Sequence, residues 1–217
     1  MYKGFIFDMD GTMVDNMMVH HRAWQRKLND MGMPMPLEEV MQKVHGINEE
    51  ILERLFGERL TPEERRQHSW EKEAAYREIF LPELRLVPGL EAFLEKAKAA
   101  GIPMAIGTAA PTENVDFVLD QLELRPYFKG IFDAKCVTKG KPDPEIFEKA
   151  AASLGFSASD CLIFEDSVTG AEAARRAGAE AIIVTTTHRQ EEFAHFDHII
   201  RFIKDFEGLE LDLQRQR

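Results

Sequence analysis

Asp8 and Asp10 stand two residues apart at the end of an apolar run, Phe5-Ile6-Phe7-Asp8-Met9-Asp10-Gly11-Thr12. In an extended segment, residues i and i+2 point the same way, so the spacing predicts two carboxylates lining one pocket where the strand ends. Adjacent carboxylates repel unless a cation lies between them or one holds a proton. Either solution makes them useful as metal ligand, nucleophile or general acid, and phosphoryl chemistry is the expectation. Taken alone, the pair reads more readily as a turn with capping acids. Two further polar groups follow apolar runs in the same manner, Thr108 after Met104-Ala105-Ile106-Gly107 and Glu165-Asp166 after Cys161-Leu162-Ile163-Phe164, and Lys141 joins them from the loop Lys139-Gly140-Lys141-Pro142-Asp143-Pro144. Each also has a structural reading. Thr108 can cap a helix beginning near Pro111, Lys141 can be a solvated loop lysine, and Glu165-Asp166-Ser167 can be a capping cluster at a helix N-terminus.

The elements that must position these groups are legible in the hydrophobic spacing. Between Asp15 and about Val87 the sequence reads as helical throughout, with Met17, His20, His21, Trp24, Leu28 and Met31 at helical spacing, then Ile47, Ile51 and Leu55. Thr61-Pro62-Glu63-Glu64 predicts a capping box and a helix running to about Phe80. After Val87-Pro88-Gly89 the pattern alternates. Leu90, Phe93, Leu94 and Ala97 form a helix face closed by Gly101, and a strand through Gly107 follows. Val115, Val118, Leu119 and Leu122 mark the next helix, Ile131-Phe132-Asp133 a strand, and Ile146, Phe147, Ala150 and Leu154 another helix. Cys161 to Phe164 is a strand, Ser167 caps a helix ending near Gly178, Ala181 to Val184 is a strand, and His198-Ile199-Ile200 adds an edge.

Such alternation predicts an α/β fold: a Rossmann-like parallel sheet flanked by helices, because parallel strands require crossover connections. Continuous apolar strands fit burial on both faces. Ligands in these sheets bind outside the carboxyl ends of the strands, where Asp8, Asp10, Thr108, Glu165 and Asp166 fall and which the Lys141 loop joins.

Composition sets the wider bounds. The chain has 217 residues, 44% of them hydrophobic, enough for a packed domain and a smaller inserted one. Cys136 and Cys161 are the two cysteines, which argues against a disulfide framework and for a reducing compartment. The apolar stretch before Asp8 is too short for a signal peptide or a membrane span, so the expectation is a cytoplasmic protein with no membrane partner; a monomer is expected separately. A net charge of −11 without a Lys/Arg cluster argues against nucleic acid and for a small substrate.

Four motifs in order, covering essentially the whole chain, resemble the haloacid dehalogenase superfamily: Asp8 to Thr12, Thr108, Lys141 within Lys-Pro-Asp-Pro, and Glu165-Asp166-Ser167. The β-phosphoglucomutase-like branch is the nearest in look, through His20, Arg22, Ala23 and Trp24 and through His45-Gly46. The resemblance implies a catalytic core at 1–14 and 84–217 with a helical cap at 15–83. It implies that Asp8 attacks phosphorus, that Asp10 moves the proton, and that Mg²⁺ is held by Asp8, Asp166 and the Asp10 carbonyl, with Glu165 in or near the shell. Lys141 would offset charge, while Thr108 and nearby backbone N–H groups, with Ala109 in the same loop, bind phosphoryl oxygens. His20, Trp24, Gly46 and Lys72 would select the substrate, a small phosphorylated metabolite.

Two departures bear on the reaction. Where the mutases carry an arginine after the substrate-loop glycine, this chain reads Gly46-Ile47-Asn48-Glu49-Glu50, with Arg54 as a candidate replacement. The loop after Thr108 is Ala109-Ala110-Pro111-Thr112, without the lysine seen there in the mutase. A mutase must grip a second phosphate, so the expectation is a phosphatase of sugar or polyol phosphates, with β-phosphoglucomutase as the alternative.

Overall fold

In a computed structural model the described residues are 1–213, and they divide into two compact units: residues 1–15 with those from Arg85 onward, and Asn16–Leu84. In chain order the elements are β1 (Gly4–Phe7), α1 (Met17–Asp30), α2 (Leu37–Lys43), α3 (Asn48–Phe56), α4 (Pro62–Phe80), α5 (Leu90–Ala99), β2 (Met104–Gly107), α6 (Thr112–Gln121), β3 (Phe128–Phe132), α7 (Glu145–Ser153), β4 (Cys161–Glu165), α8 (Val168–Arg176), β5 (Glu180–Val184) and β6 (Ile199–Ile203).

The first unit is built on a six-stranded sheet of order β3-β2-β1-β4-β5-β6, parallel throughout. β1 therefore lies between β2 and β4, with Phe7 in register with Ile106 on one side and Phe164 on the other. The order in which strands are added reverses between β1 and β4, the switch point at which open α/β sheets bind ligands. Alternation along β1 feeds two cores. Phe5 and Phe7 meet Phe93 of α5, Phe164 and Phe206, the Phe7 and Phe164 rings stacking at 4.6 Å. Ile6, on the other face, joins Ile163, Ile183, Ile146, Phe147 and the alanines of α7 and α8. Each buried phenylalanine contributes about 1.5–3 kcal/mol over an exposed one, so the strand that carries Asp8 is held from both sides.

The second unit is helical. Trp24, Leu28, Val40, Ile51, Leu52 and Phe56 form its core. The Thr61 capping box forms as its sequence predicts: Glu64 N donates to Thr61 Oγ1 at 3.2 Å and Thr61 N donates to Glu64 Oε2 at 2.8 Å. The helical reading of Asp15 to Val87 needs correction at its joints. Gly32 (φ +74°) with Pro34 and Pro36 stops α1, and Gly46 (φ +96°) separates α2 from α3. Ile47 consequently precedes α3 and is exposed instead of facing the core. The two edge strands are longer than their apolar runs predict, because β3 includes Lys129 and Gly130 and β6 includes Arg201, residues an edge tolerates.

No described helix is long and apolar enough to cross a membrane. Both cysteines are free thiols, Cys161 buried and Cys136 half-buried.

Candidate active site

Asp8 follows β1 directly, and its backbone N–H donates to Phe164 O at 2.9 Å, which fixes the residue against the end of β4. The chain then turns tightly. Met13 N donates to Met9 O and Gly11 N to Val14 O, both at 2.8 Å, with Gly11 at φ +80°, a conformation that glycine adopts freely and a side chain would strain. The turn also needs glycine for space, since a Cβ there would overlap the Asp166 carboxylate.

The Lys141 ammonium is buried rather than solvated, and donates at 2.6 Å to both Asp8 Oδ1 and Glu165 Oε1. It also sits 4.6 Å from the Phe147 ring centroid. Its loop is anchored by Asp143, whose Oδ1 accepts from Glu145 N at 3.1 Å as α7 begins. Glu165 uses its second oxygen on Asp166 N (2.8 Å), Ser167 N (2.7 Å) and Ser167 Oγ (3.0 Å). Ser167 caps α8 by accepting from Gly170 N, in line with the sequence.

Carboxylate oxygens of Asp8, Glu165 and Asp166 all lie within 4.8 Å of one another, and all three residues are buried. Burial is the largest influence on Asp8 and, with Glu165 and Asp10 nearby, raises its pKa to about 7 in spite of Lys141. Asp166 is raised well above the carboxylate range by burial, then by Glu165 and Asp8. Burial also disfavours charge on Glu165 and Lys141, but it is outweighed in both: Lys141 and the Ser167 and Asp166 N–H groups lower Glu165, and Asp8, then Glu165, raise Lys141. Three close carboxylates facing one ammonium leave a negative excess, and hard oxygen donors of this kind suit a divalent cation. The residues therefore fit a metal, with Asp8 and Asp166 better placed to offer free oxygen than Glu165, whose two oxygens are already engaged.

Thr108 is buried at the end of β2, its N–H donating to Phe132 O at 2.9 Å and its Oγ1 accepting from Ala110 N at 3.2 Å. It does not cap α6, whose N-cap position is Pro111. Ala109 is exposed and Asp10 half-buried.

Within the helical unit, Lys72 is buried and its Nζ lies 2.8 Å from both His20 Nδ1 and Glu73 Oε1, with the Trp24 and Tyr76 rings at 5.8 and 5.9 Å. His20 stacks on Tyr76 at 4.0 Å. Asn48 Nδ2 donates to Glu73 Oε1 at 2.7 Å. Burial opposes charge on Glu73, but Lys72 and His20 overcome it and bring its pKa down to about 2. Trp24 belongs to the unit's hydrophobic core, and Gly46 lies in a turn at φ +96°, where a Cβ would be in ordinary contact with Glu50 Oε2 at 3.8 Å. Arg54 donates from Nη2 to Lys43 O at 2.8 Å and His45 O at 3.2 Å, so it braces the Gly46 turn.

Sequence reasoning passed over Glu73, Gly170 and the threonines after β5. Glu73 adjoins Lys72 in sequence and so points the wrong way in a simple helical wheel. Gly170 is needed because a Cβ would overlap the Glu165 carboxylate, a packing relation without a local signature.

A doubly wound parallel sheet with a carboxylate cluster and a buried lysine at its strand ends is a switch-point site of the kind at which open α/β sheets bind ligands. The chain belongs to the haloacid dehalogenase-like hydrolases, whose family model matches residues 2–178. It is 30% identical to the fructose-1-phosphate phosphatase YqaB of Escherichia coli over 84% of this chain and 96% of that protein. It is 32% identical to the β-phosphoglucomutase of Bacillus subtilis, covering 83% of this chain and 82% of the relative. Among solved structures, a HAD hydrolase of family IA, variant 3, from Entamoeba histolytica superposes with a TM-score of 0.88 at 26% identity, over 96% of both chains.

Proposed function

We propose that the protein is a Mg²⁺-dependent phosphatase of small phosphomonoesters, sugar or polyol phosphates, working through an aspartyl-phosphate on Asp8. The observation that carries this reading is the Asp8 carboxylate, fixed by β1 at the switch point, with one oxygen 2.6 Å from the Lys141 ammonium and Asp166 beside it. Asp8, Asp166 and the Asp10 backbone carbonyl would hold Mg²⁺, and Glu165 would orient Lys141 and the Asp166 backbone from beside them. The metal, when bound, supplies positive charge that keeps Asp8 ionised and polarises the phosphoryl group. Asp8 attacks phosphorus and the ester oxygen leaves with a proton from Asp10; Asp10 then takes a proton from the water that attacks the aspartyl-phosphate, giving inorganic phosphate and regenerating Asp8. Lys141 offsets the charge on Asp8 and the transferred group, and Thr108 with the N–H groups of its loop, Ala109 included, binds the phosphoryl oxygens.

We assign substrate selection to the helical unit as a cap, through His20, Trp24, Gly46 and Lys72. Two features favour hydrolysis over mutase chemistry. Lys72 is already neutralised by Glu73, and Arg54 is engaged by backbone carbonyls, so neither supplies an uncommitted cation for a second phosphate. Phosphate release from a panel of esters, with and without Mg²⁺, tests the assignment, with β-glucose 1-phosphate included and glucose 6-phosphate monitored. Release from a few esters supports it. Fast isomerisation with little release makes the protein a β-phosphoglucomutase instead.

A further inference from the structure

β5 neighbours β4 in the sheet, so the residues after Val184 emerge beside the end of the strand that delivers Asp166. They are three threonines. Thr185 is pinned to β6, its N–H donating to Ile203 O at 2.9 Å and its hydroxyl to the same oxygen at 3.2 Å. Thr186 Oγ1 donates to the carbonyl of Gly11, the residue that turns the chain after Asp8 and Asp10. Thr187 Oγ1 is buried and meets no partner at full hydrogen-bond geometry; it lies against the same face of Gly11 as Asp166 Oδ2, near enough to that carboxylate to act on it as a weak donor. On the other side of that carboxylate, Thr12 Oγ1 donates to Asp166 Oδ1 at 3.4 Å. A buried hydroxyl short of a full hydrogen bond is costly unless it has a use, and the group adjoining this one is a carboxylate placed to ligate a metal.

We infer that Thr187 is a positioning residue for the metal ligand Asp166, its hydroxyl orienting Oδ2 from the β5 side while Thr12 orients Oδ1. Thr186 supports the arrangement by fixing the Gly11 carbonyl, so that β1, β4 and β5 all set the geometry of one site. Partners of this kind around a ligand characteristically govern metal affinity. The inference rests on the metal-dependent reading given above and adds to it a threonine outside the family's four motifs.

Calorimetric titration of Mg²⁺ into the intact protein tests it, with Thr187→Val, which keeps the shape and removes the hydroxyl, and Thr187→Ser, which restores it. Thr187→Val should weaken Mg²⁺ binding about 10-fold or more, while Thr187→Ser should bind within about twofold of the wild type and the metal-free Tm of the two variants should agree. Thr187→Ala, measured in the same way, replaces the valine variant should that one not fold. Affinity within twofold of wild type in the hydroxyl-free variant, or no recovery with serine, overturns the inference while leaving the phosphatase reading standing. Absence of Mg²⁺ binding by the wild-type protein overturns both.

Discussion

At the scale of single residues, the site is a problem in buried charge. Asp8 ionises near pH 7 without metal because burial and neighbouring acids oppose its charge more than Lys141 favours it. A carboxyl raised from 3.8 to about 7 on folding leaves stability intact below about pH 4 and withdraws it as pH rises through 7. Asp8→Asn removes that penalty. In EDTA at pH 8 the variant should be more stable than wild type by about 1–3 kcal/mol, with the gain vanishing near pH 4; denaturation at both pH values measures it, and a less stable variant at pH 8 contradicts the account. What the sequence could show at this scale was residue type and order: Asp8 and Asp166 follow apolar runs, Lys141 lies in a Gly/Pro loop between them, and the three converge. It could not show that Glu165 would be saturated by Lys141, Ser167 and the Asp166 N–H, nor that Glu73 would neutralise Lys72, because both depend on side-chain geometry across distant segments.

Elements place these residues. β1 is readable because its apolar run is continuous and bounded by acids, and β4 for the same reason. The edge strands β3 and β6 were under-read, since Lys129 and Arg201 interrupt the apolar signal where one side of the strand faces no neighbour. The breaks within the helical segment at Gly32 and Gly46 carried a composition signal, Gly and Pro, that the long run of helical spacing obscured. Helix α8 carries a test of how closely element packing supports the site. An alanine in place of a helical glycine usually stabilises by about 0.5–1 kcal/mol. Gly170→Ala should do the opposite, because its Cβ would displace the Glu165 carboxylate from Lys141 and Ser167. The expected loss is about 1–3 kcal/mol of stability, with at least a tenfold fall in kcat/KM. A more stable and fully active Gly170→Ala would show that Glu165 is not held as described.

For the whole molecule, the proposed function assigns chemistry to the sheet unit and selection of the ester to the helical unit. The division predicts separable defects. Lys72→Ala alone would strand the buried Glu73 charge and cost stability, so it is best combined with Glu73→Gln. The double variant should lose about tenfold or more in kcat/KM toward the preferred ester and keep Mg²⁺ affinity within twofold of wild type. Equal loss of both would place Lys72 in the metal site's support, and an unchanged kcat/KM would remove it from substrate selection. The net charge of −11 fits this picture, since a bound cation and a few aimed donors, not the overall field, govern phosphate binding in a buried cluster.

The central claim is that Asp8 carries the phosphoryl group, and the most direct measurement is phosphate release from the best ester of the panel by wild type and Asp8→Asn side by side, with Mg²⁺ and with EDTA. The account predicts turnover by the wild type that requires Mg²⁺ and falls by about 10³-fold or more in Asp8→Asn, in a protein that folds at least as well. Comparable release by Asp8→Asn, or by the wild type in EDTA, would contradict it.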